Sequence, residues 1–322
     1  MRRWARRLAW LTVWAWLSML TGCASLRAVQ TDALLANRPA DLPVRVNLPD
    51  TPFFAQTDLQ CGPAALATAL GAAGLPTTPE VLTPEVFVPD RGGSLQIEML
   101  AAARRHGAVS TRLPPELTPL LREVAAGHPA VVLLNLGLSI HPLWHYAVVV
   151  GYDLDTQDVL LRSGTTRELA LPLRTFEHTW ARSQHWAFVA LRPDTVPLVA
   201  TEPAVVEGRV AFERGNPPAL AQQAYQSALQ RWPGNLVLGL GLGNTQFAAG
   251  EMGAAAATFQ RLADQHDSAA AWNNLATVRL QQGERAAALA AARQAVRRAQ
   301  ASEPAWLAAA QATLREVEHA GR

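Results

Sequence analysis

The sequence lacks lysine entirely, has only two cysteines among 322 residues, and is charged at only 17% of its positions. Two cysteines are too few for a disulfide-dense scaffold or a zinc ribbon. All 28 basic residues are arginines, and four of them lie in residues 1–22, which contain no acidic residue. Without that segment the net charge of +2 becomes −2. The charge balance therefore gives no reason to expect nucleic acid as a partner.

Apolar residues, in contrast, are abundant. They make up 49% of the chain, which is enough for a sizeable core and argues against global disorder. The length corresponds to about two domains at roughly 150 residues each.

The first residues have the pattern of a secretion signal. Four arginines between Arg2 and Arg7 precede an apolar run over residues 8–20, and small residues follow it. This run is shorter than the ~20 residues that a membrane-spanning helix needs. We therefore predict a cleaved signal peptide over residues 1–22 rather than a transmembrane anchor.

The end of this signal carries a second pattern. Leu20-Thr21-Gly22-Cys23 resembles the lipobox of bacterial lipoproteins. The resemblance implies lipidation of Cys23 and a periplasm-facing protein anchored in a membrane. Ala24 stands where the inner-membrane retention signal of that family has aspartate, which favours the outer membrane. Residues 23–47 are then predicted to be a lipidated tether.

If Cys23 carries lipid, Cys61 is the one remaining thiol. It directly precedes Gly62-Pro63 and an alanine-rich run with apolar residues at helical spacing. Proline is favoured in the first helical turn, so Cys61 is predicted at the N-terminus of a helix. Such a position stabilises a thiolate and lowers the pKa of a cysteine from about 8.5. We therefore favour a nucleophile over a buried, inert cysteine.

A cysteine nucleophile needs a base, and His145 is the best placed of the eight histidines. It directly precedes the apolar, β-branched run 146–152, which predicts a buried strand. His141 and His145 are spaced like a metal-binding pair, but Pro142 disfavours a helix there and no third ligand is evident. Neither a metal nor another cofactor is predicted.

These two segments carry a family resemblance. The block Gln60–Ala65, with Gln56 ahead of it and His145–Tyr152 behind it, resembles the bacteriocin-processing, double-glycine-leader cysteine peptidases. It is most similar to their stand-alone relatives, which lack a transporter. The resemblance covers residues 48–192. It implies a papain-like α+β fold, in which a helix with the cysteine packs on an antiparallel sheet with the histidine.

The resemblance also implies a role for each residue. Cys61 would attack the carbonyl carbon, and His145 would take the thiol proton and later protonate the leaving group. Gln56 would donate to the oxyanion, with Gln60 as the alternative donor. The family places an aspartate on the strand after the histidine, where this chain has Ser163.

The identity of the third catalytic residue is therefore open. Asp153 is predicted to lie ~26 Å from His145, because eight strand residues separate them. A hairpin over residues 155–158 would bring Ser163 back beside the histidine, and Asn135 on the preceding strand is a second candidate. With Ser163 in this position, either the triad is a weakened variant or the chemistry has been lost.

The last third of the chain has a different pattern. Residues 193–203 contain several prolines and predict a linker. Within residues 204–322, Gly215, Gly250 and Gly283 each separate two helical segments at a spacing near 34 residues. This period resembles tetratricopeptide repeats. It predicts an all-α repeat domain that binds a peptide or protein partner along a concave face.

Together these features predict a lipid-anchored periplasmic cysteine peptidase that cleaves a peptide or protein through a thioester. Two alternatives are open: transfer of the acyl group to an amine, and a catalytically weak or inactive scaffold for assembly. No transporter segment follows the first domain, so a double-glycine substrate is not assumed.

Overall fold

The computed structural model of this protein describes residues 27–55, 60–138 and 140–320. The predicted signal peptide, Cys23 and Gln56 lie outside the described residues. Within the described ranges, no helix combines the length and the apolar character that crossing a bilayer requires.

The first domain is an α+β unit with one large sheet. In chain order its elements are α1 (Val29–Ala36), β1 (Arg45–Asn47), α2 (Cys61–Ala72), α3 (Pro79–Val86), β2 (Phe87–Val88), β3 (Gly93–Ser94), α4 (Gln96–Arg105), β4 (Val109–Arg112), α5 (Leu117–Ala125), β5 (Ala130–Asn135), β6 (Trp144–Asp153), β7 (Asp158–Ser163), β8 (Thr166–Pro172), α6 (Leu173–Ala181) and β9 (Ala187–Leu191). The seven-stranded sheet has the order β4-β9-β5-β6-β7-β8, and β1 adds to the end of β6. All its pairings are antiparallel.

Strand β6 forms the centre of this domain and is buried on both faces, as its apolar run predicts. Tyr146, Val148 and Val150 pack into the cluster that contains α2. Ala147 and Val149 point to the other face, into the cluster of α5 and α6. The sheet therefore has a helical layer on each side, and the cysteine and the histidine lie on two elements that pack together.

Residues 29–47 form part of the folded domain, although the sequence predicts a tether through residue 47. The Glu177 carboxylate accepts hydrogen bonds from the backbone N–H groups of Gln30 and Thr31, at 2.9 and 2.6 Å. Ala28 is buried, and β1 pairs with the last residues of β6. The chain is therefore fixed to the domain from residue 28 onward, and only residues 24–27 lie between Cys23 and this point.

The second domain is entirely helical. Its helices are α7 (Glu202–Glu213), α8 (Pro218–Arg231), α9 (Leu236–Ala248), α10 (Met252–His266), α11 (Ala269–Gln281), α12 (Arg285–Ala301) and α13 (Leu307–His319). Gly215, Gly250 and Gly283 separate the helices of the pairs α7/α8, α9/α10 and α11/α12. Gly250 and Gly283 have φ values of +79° and +78°, which glycine adopts at little cost. The predicted helical repeats are confirmed.

The predicted linker, residues 193–203, is held against the first domain. The buried Glu123 carboxylate accepts hydrogen bonds from the backbone N–H groups of Leu198 and Val199. Helix α7 then packs on the edge strand β4, where Gly208 lies against the backbone of Ser110. The contact covers a strand edge that would otherwise expose unpaired backbone groups.

Candidate active site

Cys61 is the first residue of α2, where the Gly-Pro pair predicts a helix start. A β-carbon on Gly62 would collide with the Ser94 side chain, so glycine lets α2 begin this close to β3. The half-buried thiol packs on the cluster that contains Tyr146 and Trp186. The nucleophile candidate therefore lies between the helix start and the first residues of β6.

The environment of the thiol differs from the expectation of a lowered pKa. Burial raises the pKa of the Cys61 thiol, and the backbone N–H groups of Tyr146 and Gly62 offset this shift only in part. The helix start does supply a stabilising N–H group, but removal of water from the sulfur outweighs it. Cys61 is therefore a neutral thiol at neutral pH.

His145 is the second residue of β6 and pairs with Leu134 on β5. Its Nε2 atom lies 2.8 Å from the Ser163 hydroxyl oxygen. Burial lowers the pKa of His145, so its imidazole is neutral at pH 7. The thiol faces the backbone N–H of the next residue, Tyr146, which places Cys61 next to the start of β6.

Ser163 ends β7 and lies where the predicted hairpin places it. The chain turns between β6 and β7 over residues 154–157, and the returning strand brings the buried Ser163 beside the histidine. Asp153 is at the far end of β6, as predicted, and its carboxylate accepts a hydrogen bond from Arg45 at 2.6 Å.

Asn135, the second candidate for the third position, does not contact the imidazole. It pairs with Trp144 rather than His145, so its side chain leaves the opposite face of the sheet. Its Oδ1 atom accepts hydrogen bonds from the backbone N–H groups of Gly137 and Leu143, at 3.0 and 2.9 Å. Asn135 therefore shapes the segment that leads into His145.

Two further side chains support the site and were not identified from the sequence. The Tyr146 hydroxyl donates to the Ser94 carbonyl oxygen at 3.2 Å and so links β6 to β3. Arg182 donates to the carbonyl oxygens of Asn135 and Gly137, at 3.0 and 2.6 Å. Tyr146 could have been found as the α2-facing residue next to the histidine. No sequence pattern indicated the role of Arg182, because its hydrogen bonds join parts of the chain that are distant in sequence.

Gln60, the alternative oxyanion donor, immediately precedes α2, and its side chain does not cap the helix. Among the described residues, no group of three or more histidine, cysteine, aspartate or glutamate side chains is placed to hold a metal ion.

Comparison with known proteins finds similarity in both parts of the chain. Residues 49–188 match the Peptidase_C39 like family, and residues 216–278 match the tetratricopeptide repeat family. A solved structure of a C39-like peptidase from Bacillus anthracis has 19% identity and a TM-score of 0.39, and the match covers 46% of this chain and 98% of that one. A tetratricopeptide-repeat protein from Thermus thermophilus has 23% identity and a TM-score of 0.28, covering 34% of this chain and 60% of that one. A search of curated proteins gives no match.

Proposed function

We propose that this chain, which joins a Peptidase_C39-like domain to tetratricopeptide repeats, is a cysteine peptidase with Cys61 as nucleophile and His145 as base. The observation that carries the proposal is the placement of the thiol at the start of α2, against the backbone N–H of Tyr146, the residue that follows His145 on β6. The Ser163 hydroxyl oxygen lies 2.8 Å from Nε2 of His145. A nucleophile beside a base that a third group orients is the arrangement that covalent catalysis needs.

The two neutral groups determine how the reaction would proceed. His145 accepts the thiol proton while the Cys61 sulfur attacks the carbonyl carbon of the peptide bond. Backbone N–H groups at the start of α2 stabilise the oxyanion. The imidazolium then protonates the leaving amine, and the C–N bond breaks to give a thioester. Neutral imidazole next activates a water molecule, which hydrolyses the thioester and restores the thiol.

Ser163 would act by orienting the imidazole. A hydroxyl fixes the ring through one hydrogen bond, but it stabilises the imidazolium less than a carboxylate does. The absence of a carboxylate at this position also favours the alternative, a peptidase-like scaffold that has no catalytic activity.

Hydrolysis of a diverse peptide library by the full chain tests the proposal. Cys61→Ala and His145→Ala should each abolish hydrolysis, whereas His141→Ala, an exposed histidine in the adjoining segment, should leave it unchanged. Equal activity in all variants, or none in the unaltered chain, would overturn the proposal in favour of the scaffold. Addition of amines with product analysis separates hydrolysis from acyl transfer.

The repeat domain would bind a protein partner. A cavity of about 360 Å³ between its helices is lined by Arg279, Arg293 and Arg297 together with Trp272. Such a lining favours an acidic peptide segment. Arg293→Glu should weaken binding of acidic peptides from an array at least tenfold, and Arg261→Glu, an exposed arginine on α10 outside the cavity, should not.

The proposal also includes an anchor, with lipid on Cys23 holding the protein at the periplasmic face of the outer membrane. Intact mass and cell fractionation test it. The chain should carry acyl groups on Cys23 and sediment with outer membranes, whereas Cys23→Ser should abolish the acyl mass.

A further inference from the structure

Large apolar side chains are exposed along the segment that leads into His145. Five of them expose between 48% and 79% of their surface, and together they form the apolar rim: Leu136, Leu138, Ile140, Leu143 and Trp144. The segment from residue 136 to residue 144 contains no acidic residue. Apolar side chains are normally exposed singly, so such a concentration marks an interaction surface.

The exposure of the apolar rim is fixed by the fold. Asn135 caps the two backbone N–H groups of Gly137 and Leu143, and Arg182 bonds the Gly137 carbonyl oxygen. The Leu136 N–H also bonds the Leu143 carbonyl oxygen at 2.9 Å. These contacts hold the ends of the segment together while its apolar side chains point outward.

The chain enters the domain at the same end of the sheet. Strand pairing places the ends of β4 and β5 beside the starts of β6 and β9 at this end. The Gln30 side chain, in the first turn of α1, contacts Pro115, Leu117 and His185, which lie on the segments just after β4 and just before β9. Val29, the first residue of α1, adds a further exposed apolar side chain there.

The reach of the N-terminal segment links this end of the domain to a membrane. The chain is fixed from the buried Ala28, and five residue steps separate it from Cys23. At no more than ~3.6 Å per step, an acyl group on Cys23 keeps the start of α1 within about 18 Å of the bilayer surface. The tether is thus too short to let the domain stand far from the lipid.

From these observations we propose that the apolar rim docks on the lipid bilayer and that the Cys61–His145 pair works at the membrane surface. The inference rests on the proposed lipidation of Cys23. An exposed tryptophan among leucine and isoleucine side chains suits the interface between lipid and water. Because Trp144 directly precedes His145, the substrate class is a peptide segment lying at, or emerging from, the membrane.

Spin labels on the full chain, reconstituted in phosphatidylethanolamine–phosphatidylglycerol vesicles, test the docking. In a Cys61→Ala background, a nitroxide is attached at Leu138→Cys or, as the matched control, at Val237→Cys, an exposed apolar position of the repeat domain. Relaxation by lipid-soluble oxygen and by a water-soluble nickel chelate is measured for each. We expect the label at position 138 to be several-fold less accessible to nickel, and more accessible to oxygen, than the label at position 237.

The other results would overturn the inference in distinguishable ways. Equal nickel accessibility at both positions, with acylated Cys23 confirmed by mass, would refute docking and leave the anchor intact. Shielding that grows with the protein-to-lipid ratio would indicate a second copy of the chain on the apolar rim. An unmodified Cys23 would refute both the anchor and the docking, while peptide hydrolysis would still decide the role of Cys61 independently.

Discussion

Ser163 places its hydroxyl oxygen 2.8 Å from Nε2 of His145, at the position where the resembled peptidase family has an aspartate. The pair joins the end of β7 to the start of β6. In the proposed mechanism this one contact decides how well the imidazole holds a proton in the transition state. The site should therefore be sensitive to the charge at position 163.

Ser163→Asp should raise the peptidase activity. A carboxylate next to Nε2 raises the pKa of His145 and stabilises the imidazolium that forms when the thiol gives up its proton. We expect kcat/KM at pH 7 to rise by tenfold or more, since general acid–base groups contribute ~10²–10⁴-fold. Steady-state hydrolysis of a peptide substrate measures this.

Ser163→Asn is the matched control for that variant. It offers an oxygen acceptor of similar size to the aspartate without the charge, so it should keep the activity of the unaltered chain within a few-fold. If the aspartate variant gains no more than the asparagine variant, the charge at position 163 does not limit the reaction.

The pH dependence follows from the two shifted groups. Because burial raises the pKa of Cys61, its labelling by iodoacetamide at pH 7 should be slower than that of a free cysteine peptide and should still rise above pH 9. Because burial lowers the pKa of His145, the base stays neutral below its usual value of about 6.5. Hydrolysis should therefore fall only at a pH below that value.

Stopped-flow labelling of Cys61 measures the alkaline rise in thiol reactivity. A pH profile of kcat/KM measures the acidic fall in hydrolysis. Labelling at pH 7 that is faster than for the free peptide would show a preformed thiolate–imidazolium pair instead. His145→Ala should leave the alkaline limb of labelling in place, because the thiol pKa is raised by burial rather than set by the histidine.

Local sequence patterns predicted the elements that hold the site. The Gly-Pro pair placed Cys61 at a helix start, and the β-branched run placed His145 on a buried strand. The turn between β6 and β7 then placed Ser163 beside it, because strand geometry fixes how far a hairpin returns. Each of these inferences depends on residues that are close in sequence.

Contacts between distant residues were not predictable in the same way. The raised pKa of Cys61 comes from its packing against Tyr146 and Trp186, which only the folded chain brings together. Residues 23–47 were expected to be a tether, but α1 lies in that range and is held by the buried Glu177, 146 residues from Thr31 in the sequence. Asn135 was considered for catalysis because its strand neighbours that of His145, but alternation along β5 turns it to the other face.

Asn135 should be needed for the shape of the segment before His145. In Asn135→Ala, the partly buried N–H groups of Gly137 and Leu143 lose their acceptor, which costs about 1 kcal/mol because water can reach them in part. We expect a lower urea midpoint and a reduced kcat/KM. Asn135→Asp keeps the acceptor oxygen and should retain more of both. If both variants lose the same amount of stability and activity, the hydrogen bonds to Asn135 Oδ1 do not contribute to either property.

Gly208 should determine how closely the repeat domain packs on the sheet. An added β-carbon there would lie 2.9 Å from the Ser110 carbonyl oxygen, on the edge strand β4, whereas one on Gly215 would meet nothing within 4 Å. Gly208→Leu should therefore lower the free energy of unfolding by about 1–3 kcal/mol through overpacking, measured by urea denaturation, while Gly215→Leu should stay within about 0.5 kcal/mol of the unaltered chain. Equal stability of both variants would mean that α7 can move off β4 without cost, and that the interface does not help to hold the two domains together.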